Sequence, residues 1–188
     1  MINIQVIIGS TRQQRFGDKP AKWIFEEAKK QEGVTAELID LRDWPLPFFD
    51  EPVSPSMNKG VYVNDLATKW AKKVGEADGY IIVTPEYNHG YSAVLKNALD
   101  YVYNEWNRKP VGFVSYGGIA GGTRAVQQLR QVAIELQMIP IRVGVHVPLY
   151  WTQLDENGNL NIESLKENAQ AMFDQLLWWA KLLKTARK

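Results

Sequence analysis

Residues 80–90 read YIIVTPEYNHG. The apolar run Tyr80–Val83 ends, within the six residues Thr84–His89, in a proline, a carboxylate, a phenol, an amide and an imidazole. A short apolar run without alternation is a strand covered on both faces, which is the habit of parallel sheets. The polar cluster that closes it is too costly to bury unpaired, so it faces a cleft.

Four more short apolar runs flank this one: Ile4–Ile8, Thr35–Leu41, Val111–Ser115 and Ile141–Val145. Helical spacing separates them. Ala21, Ile24, Phe25 and Ala28 share one face, with Asp18 as the expected cap and Pro20 in the first turn. Tyr62, Leu66, Trp70 and Val74 make a second helix. Val94, Leu95, Ala98, Leu99 and Val102 make a third, capped by Ser92. Ala125, Leu129, Val132, Ala133 and Leu136 make a fourth, capped by Thr123. A last helix is expected from near Asn161, carrying Leu165, Ala169, Met172, Phe173, Leu176 and Leu177.

Strands alternating with helices predict right-handed crossovers and a parallel sheet. The expected fold is one α/β domain over residues 1–188: a three-layer, doubly wound, five-stranded parallel sheet in order 2-1-3-4-5. Two long loops, Asp43–Asn58 and Pro148–Leu160, read as functional rims or interface segments.

Composition narrows the function. The chain carries 22 basic and 21 acidic residues, a net charge of +1, so no electrostatic case exists for nucleic acid or an anionic membrane as partner. It has no cysteine, which removes disulfide, thiol and thiolate–metal chemistry, and its two histidines, His89 and His146, argue against a histidine metal centre. The opening MINIQVIIGS has no basic region, long apolar segment or cleavage site, and the expected location is the cytoplasm.

In a doubly wound sheet, ligands bind beyond the carboxyl ends of the strands at the point where strand order reverses. Three loops lie there. The first is GSTRQQRFG, Gly9–Gly17. Gly9 permits a tight exit, Ser10 and Thr11 supply hydroxyls, and Arg12 and Arg15 supply cationic forks, a combination suited to a phosphate monoester. It matches neither the Walker A pattern nor the G-x-G-x-x-G fingerprint. The second loop has Pro85 and Gly90 at its ends, with Glu86, Tyr87, Asn88 and His89 between, and suits a flat, partly polar heteroaromatic ring. The third is SYGGIAGG, Ser115–Gly122, whose four glycines let the backbone approach a planar ligand.

GSTRxxR, TPEYNHGYSAVLKNALD and SYGGIAGG-x-RAVQQLRQ together resemble the NADPH-dependent FMN reductase family, flavodoxin-like enzymes that include quinone, azo-dye and chromate reductases. The likeness covers roughly Ile2–Val147, and its most specific part is P-E-Y-N followed by L-K-N-A. The resemblance implies FMN as cofactor and NADPH or NADH as co-substrate, in a ping-pong transfer of hydride to a quinone, flavin, azo compound or similar acceptor. It implies that Ser10, Thr11, Arg12, Arg15 and Phe16 surround the FMN phosphate. Pro85, Glu86, Tyr87 and Asn88 would line the isoalloxazine ring, with His89 beside them. Ser115, Tyr116, Gly117 and Gly118 would approach its pyrimidine edge. No side chain is expected to act as acid or base, and backbone N–H groups near Asn88, Gly117 and Gly118 would stabilise charge on the reduced ring. Tyr87, Tyr116 and the Trp44–Phe49 loop, from this chain or a partner's, would wall the open face.

Arg15 departs from the family pattern, standing where many relatives have a small hydroxyl residue, and His89 occupies a variable position. Tyr101, Val102, Tyr103 and Trp106, clustered after the third helix, lead to the expectation of a homodimer or a tetramer. Two other readings stay open: a flavodoxin-type electron carrier without a pyridine-nucleotide site, and a phosphate-ligand binding module without flavin.

Overall fold

A computed structural model describes residues 1–187. The elements run β1 (Ile2–Ile8), α1 (Asp18–Lys29), β2 (Val34–Asp40), α2 (Asp65–Gly75), β3 (Gly79–Pro85), α3 (Ala93–Asp100), β4 (Pro110–Tyr116), α4 (Thr123–Glu135), β5 (Ile139–Pro140), β6 (Val145–Val147) and α5 (Lys166–Ala186). All strand pairings are parallel, in the order β2-β1-β3-β4-β5, with β6 also beside β4. Every residue of β3 and of β4 is buried.

Two apolar layers sandwich the sheet. On one side Trp70 and Val74 of α2, Leu95 and Leu99 of α3 and Leu129 of α4 pack with Ile82 and Phe113. On the other, Ala21 and Ile24 of α1 and Met172, Phe173 and Leu176 of α5 pack with Ile81 and Val114. This is the doubly wound, three-layer fold the strand pattern predicts. Among the described residues no helix is long and apolar enough to cross a membrane.

Several local expectations are corrected. The fifth strand is split: β5 pairs Ile139 and Pro140 with Pro110 and Val111, and β6 resumes opposite Val114–Tyr116. At the break, a side chain on Gly144 would lie 3.0 Å from the Phe113 carbonyl, a tight fit that glycine avoids where the backbone runs close to β4. Tyr62 precedes its helix, because Asn64 caps α2 by accepting from the N–H groups of Leu66 and Ala67. Neither Asp18 nor Thr123 caps its helix; Gly17 and Gly122 hold those positions. Ser92 does cap α3, accepting from the Leu95 N–H. The last helix begins at Lys166, after a short 3-10 turn at Glu163–Leu165.

The aromatic cluster after α3 belongs to this chain's own core. Tyr101, Val102 and Trp106 are fully buried. The Trp106 ring sits 4.8 Å from Tyr80 and 6.2 Å from Trp70, and its indole N–H reaches the Leu99 carbonyl at 3.1 Å. These rings carry no argument for a subunit interface.

Beside that cluster Lys109 is buried, its ammonium donating to the Val74 and Gly75 carbonyls at the end of α2 and to the Tyr80 hydroxyl. Burial pushes its pKa down to about 8 from an ordinary 10.5. Between those values the unfolded chain holds more protons than the folded one, so stability rises with pH across the window. Urea unfolding at pH 7.5 and pH 10 should show the natural protein gaining on a Lys109→Met variant by an amount on the order of 2–3 kcal/mol. A constant difference between the two proteins would mean that the burial has no linked proton.

Candidate functional site

The parallel register brings four strand ends to one edge, where Ile8 pairs with Val83, Pro85 with Tyr116 and Tyr116 with Val147. The loops beyond them enclose a cavity of about 430 Å³, a volume suited to a small cofactor. Arg12, Gln14, Arg15, Phe16 and Lys19 line it together with Pro85, Glu86, Tyr87, Gly117, Gly118 and Trp151.

The first loop leaves β1 through Gly9, where a side chain would meet the Leu95 methyl at 2.9 Å and the Val83 carbonyl at 3.0 Å. The capping hydroxyl of Ser92 also donates to the Gly9 carbonyl, tying this loop to the start of α3. Ser10 is buried, its hydroxyl 3.3 Å from that of Tyr116. Residues Thr11–Gln14 are exposed, and the backbone N–H groups of Ser10–Gln13 find no acceptor among the described residues.

Arg15 does not take the place expected of it. It is buried, and it donates to the Ser10 carbonyl, to Asp18 at 2.8 Å and to both oxygens of Asp40, with a further 2.6 Å contact to Asp18. Hydrogen bonds from its Nε and from both terminal nitrogens thus go to groups of this chain rather than to a ligand. Burial opposes its charge, but hydrogen bonds and attraction from Asp40 and Asp18 outweigh that and raise its pKa. Asp40 answers in kind: burial would raise its carboxyl, yet bonds from Arg15 and from the Arg42 N–H hold it low.

The second loop is a tight reversal. Tyr87 and Gly90 exchange backbone hydrogen bonds of 2.8 and 2.9 Å, with Asn88 at φ 50° and His89 at φ 69° between them. Two adjacent left-handed residues are what a type I′ turn requires. Asn88 and His89 form its exposed apex, and neither side chain lines the cavity. The Glu86 side chain points inward to α4, its carboxylate accepting from the Arg124 N–H at 3.1 Å and the Arg124 guanidinium at 2.9 Å. It thus supplies, from another strand, the cap that Gly122 lacks.

In the third loop, Ser115 is fully buried behind the cavity. Its hydroxyl donates to the Gly121 carbonyl and contacts His146 Nδ1, each at 2.7 Å. Burial and nearby Arg130 push the His146 pKa down. Gly122 has φ 85°, and a side chain there would strike Ser115 at 2.7 Å. The Gly117 N–H is spent on the Val147 carbonyl at 3.2 Å, so it is not the free donor expected. The Tyr116 ring runs beneath the first loop, packed on Phe16 with centroids 5.2 Å apart, rather than over an open face. Burial pushes its hydroxyl up to about 12, so it stays protonated.

Sequence reasoning missed Gln14, Lys19, Tyr150, Trp151 and Leu154, all of which line the cavity. Tyr150 and Trp151 follow β6, held by bonds from the Leu149 and Tyr150 N–H groups to Gly118 and Gly117. Trp151 lies against Gly118, and Leu149 enters the turn at φ 45°. Their signal was an aromatic pair just beyond the last strand, at the same sheet edge. Across Arg12 and Tyr87 lies a second hollow of about 650 Å³, walled by Leu46, Pro47, Phe48 and the start of α3.

Fold and cavity together define a flavodoxin-like protein with a cavity at the carboxyl edge of its sheet. The chain belongs to the NADPH-dependent FMN reductase family, whose model matches residues 2–152, and is accordingly an oxidoreductase that uses FMN and NAD(P)H. It is 47% identical over 147 residues to an NAD(P)H-dependent FMN reductase of Schizosaccharomyces pombe, covering 77% of this chain and 73% of that one. It is 32% identical over 142 residues to an NADPH:quinone oxidoreductase of Arabidopsis thaliana, covering 73% and 69%. In fold it matches a flavoenzyme NAD(P)H:acceptor oxidoreductase of Paracoccus denitrificans with a TM-score of 0.73 at 20% identity, covering 96% and 98% of the two chains.

The Glu86–Arg124 pair joins the second loop to the α4 start that follows the third, through a carboxylate that is only 8% exposed and a guanidinium that is 45% exposed. A double-mutant cycle with Glu86→Gln and Arg124→Met should give a coupling of about 1 kcal/mol in urea unfolding, small because one partner is wet. Additive losses would mean the two are held together by other contacts.

Proposed function

We propose that the cavity holds FMN, with the phosphate at the Ser10–Gln14 turn and the ring between Pro85–Tyr87 and Gly117–Gly118. The observation that carries this reading is the meeting, in one cavity, of a first loop with unbonded N–H groups and of Pro85–Tyr87, Gly117–Gly118 and Trp151. Arg15, Arg42 and Arg124 are each paired with an acid, whereas Arg12 is exposed and faces both the cavity and the hollow beside it. Arg12 is therefore the cation for the phosphate, with Thr11 and the turn's N–H groups as partners. Phe16 and Tyr116 form the floor, and Ser10 braces the turn from behind through the Tyr116 hydroxyl.

When bound, FMN supplies two-electron chemistry, with NAD(P)H as donor and a quinone-type molecule as acceptor. The protein's part is placement. Gly117 and Gly118 keep side chains away from the ring edge, Glu86 fixes the loop opposite, and Trp151 limits water on that side. The hollow walled by Leu46, Pro47, Phe48 and Tyr87 offers an apolar seat for a planar acceptor beside the same site. Quinone reductases of Burkholderia and Pseudomonas putida among the relatives support that acceptor class.

The purified protein, saturated with FMN, should lose its visible absorbance within seconds of adding NADPH or NADH without oxygen. Stable colour would favour an electron carrier, and failure to take up FMN would favour a phosphate-binding module. Arg12→Ala should weaken FMN binding by about 1.5–3 kcal/mol, the worth of one charge-assisted bond; an unaltered affinity would remove Arg12 from the site.

We also propose a homodimer. Its support is the exposed apolar set Phe48, Val53, Met57, Val61 and Val63 along the segment between β2 and α2. Light scattering should return twice the 21.4 kDa chain mass, and a single-chain mass would end the idea.

A further inference from the structure

Two arginines each grip one carbonyl of the turn that carries the unbonded N–H groups. Arg15 donates to the Ser10 carbonyl, and Arg42 donates to the Arg12 carbonyl at 2.6 Å. Both are anchored on the same two acids. Arg15 binds Asp18 and Asp40, Arg42 lies 3.8 Å from Asp18, and the Arg42 backbone N–H bonds Asp40 at 2.9 Å. Two guanidinium and two carboxylate charges cancel, so the cluster presents no net positive charge to a ligand.

Its effect on the turn is geometric. In a trans peptide the C=O and the following N–H point in opposite directions. Drawing the Ser10 carbonyl back toward Arg15 turns the Thr11 N–H forward, and drawing back the Arg12 carbonyl does the same for Gln13. Those two N–H groups are among the ones without an acceptor. Successive N–H groups turned to one side make an anion-binding concavity.

We propose that Arg15 and Arg42, locked by Asp18 and Asp40, are positioning residues that aim the Thr11 and Gln13 amides at the ligand's phosphate and so make the site select a phosphorylated flavin over its dephosphorylated form. This rests on the reading of the cavity as an FMN site.

The test compares dissociation constants for FMN and for riboflavin, by quenching of flavin fluorescence, in the natural protein, Asp40→Asn and Arg42→Ala. Both substitutions should weaken FMN roughly tenfold, as expected for one misdirected hydrogen bond, and leave riboflavin within about twofold. Asp40→Asn is decisive because it removes a negative charge near the phosphate. If Arg15 met the phosphate directly, freeing it would tighten FMN binding, and that result would overturn the proposal. Equal losses for the two flavins would overturn it as well. A readout without flavin is trypsin cleavage after Arg12: Asp40→Asn should be cut several times faster than the natural protein, and equal rates would count against the lock. If the natural protein binds neither flavin, the FMN reading fails, while the cleavage rates still judge the lock.

Discussion

The site depends on one constraint, the parallel pairing that ends β1, β3, β4 and β6 at a common edge. Hydrogen bonds between Glu86 and Tyr116, between Gly117 and Val147, and between Tyr150 and Gly117 carry the pairing past the strands into the loops. The loops are therefore continuations of the sheet rather than free connections, and a cavity between them has walls of fixed spacing. Glycine is needed at few points for this. Gly122 is the clearest, since at φ 85° a methyl there would come within 2.7 Å of Ser115 and 2.9 Å of the Tyr116 backbone nitrogen.

Around that frame most polar side chains of the site serve the backbone. Ser92 holds Gly9, Ser115 holds Gly121, Glu86 caps α4 and Gln128 holds the His89 carbonyl. Such bonds set where N–H groups point and how near a ligand can come, which is what catalysis on a bound cofactor asks of a protein. Buried charge follows the same logic. Arg15 is tolerated with a nearly inaccessible side chain because each of its three nitrogens hydrogen-bonds an acceptor and two carboxylates lie against its charge.

Much of this was legible in the chain. Apolar runs without alternation specify strands buried on two faces, helical spacing specifies what covers them, and alternation of the two leaves few topologies. The three loops followed from the rule that ligands gather at the carboxyl edge, and eleven of the fifteen residues expected there line the cavity or the hollow beside it, or brace its turn: Ser10, Thr11, Arg12, Phe16, Pro85, Glu86, Tyr87, Tyr116, Gly117, Gly118 and, by its grip on the turn, Arg15. Gly9 and Ser115 stand behind the loops, and Asn88 and His89 form a turn apex.

What the chain alone determined is therefore what local pattern can determine: element types, fold class, family and the loops that meet at one edge. What only tertiary structure decided is which partner each polar or aromatic group finds. Arg15 looked like a phosphate ligand until Asp40, 25 positions away, took bonds from both its terminal nitrogens. Tyr101, Val102 and Trp106 looked like an interface until Tyr80 and Trp70 closed around them. Tyr150 and Trp151 reach the cavity only because β6 lies beside β4. In each case the deciding contact joins residues far apart along the chain, and the energy of such a contact leaves no periodicity in the sequence near either partner.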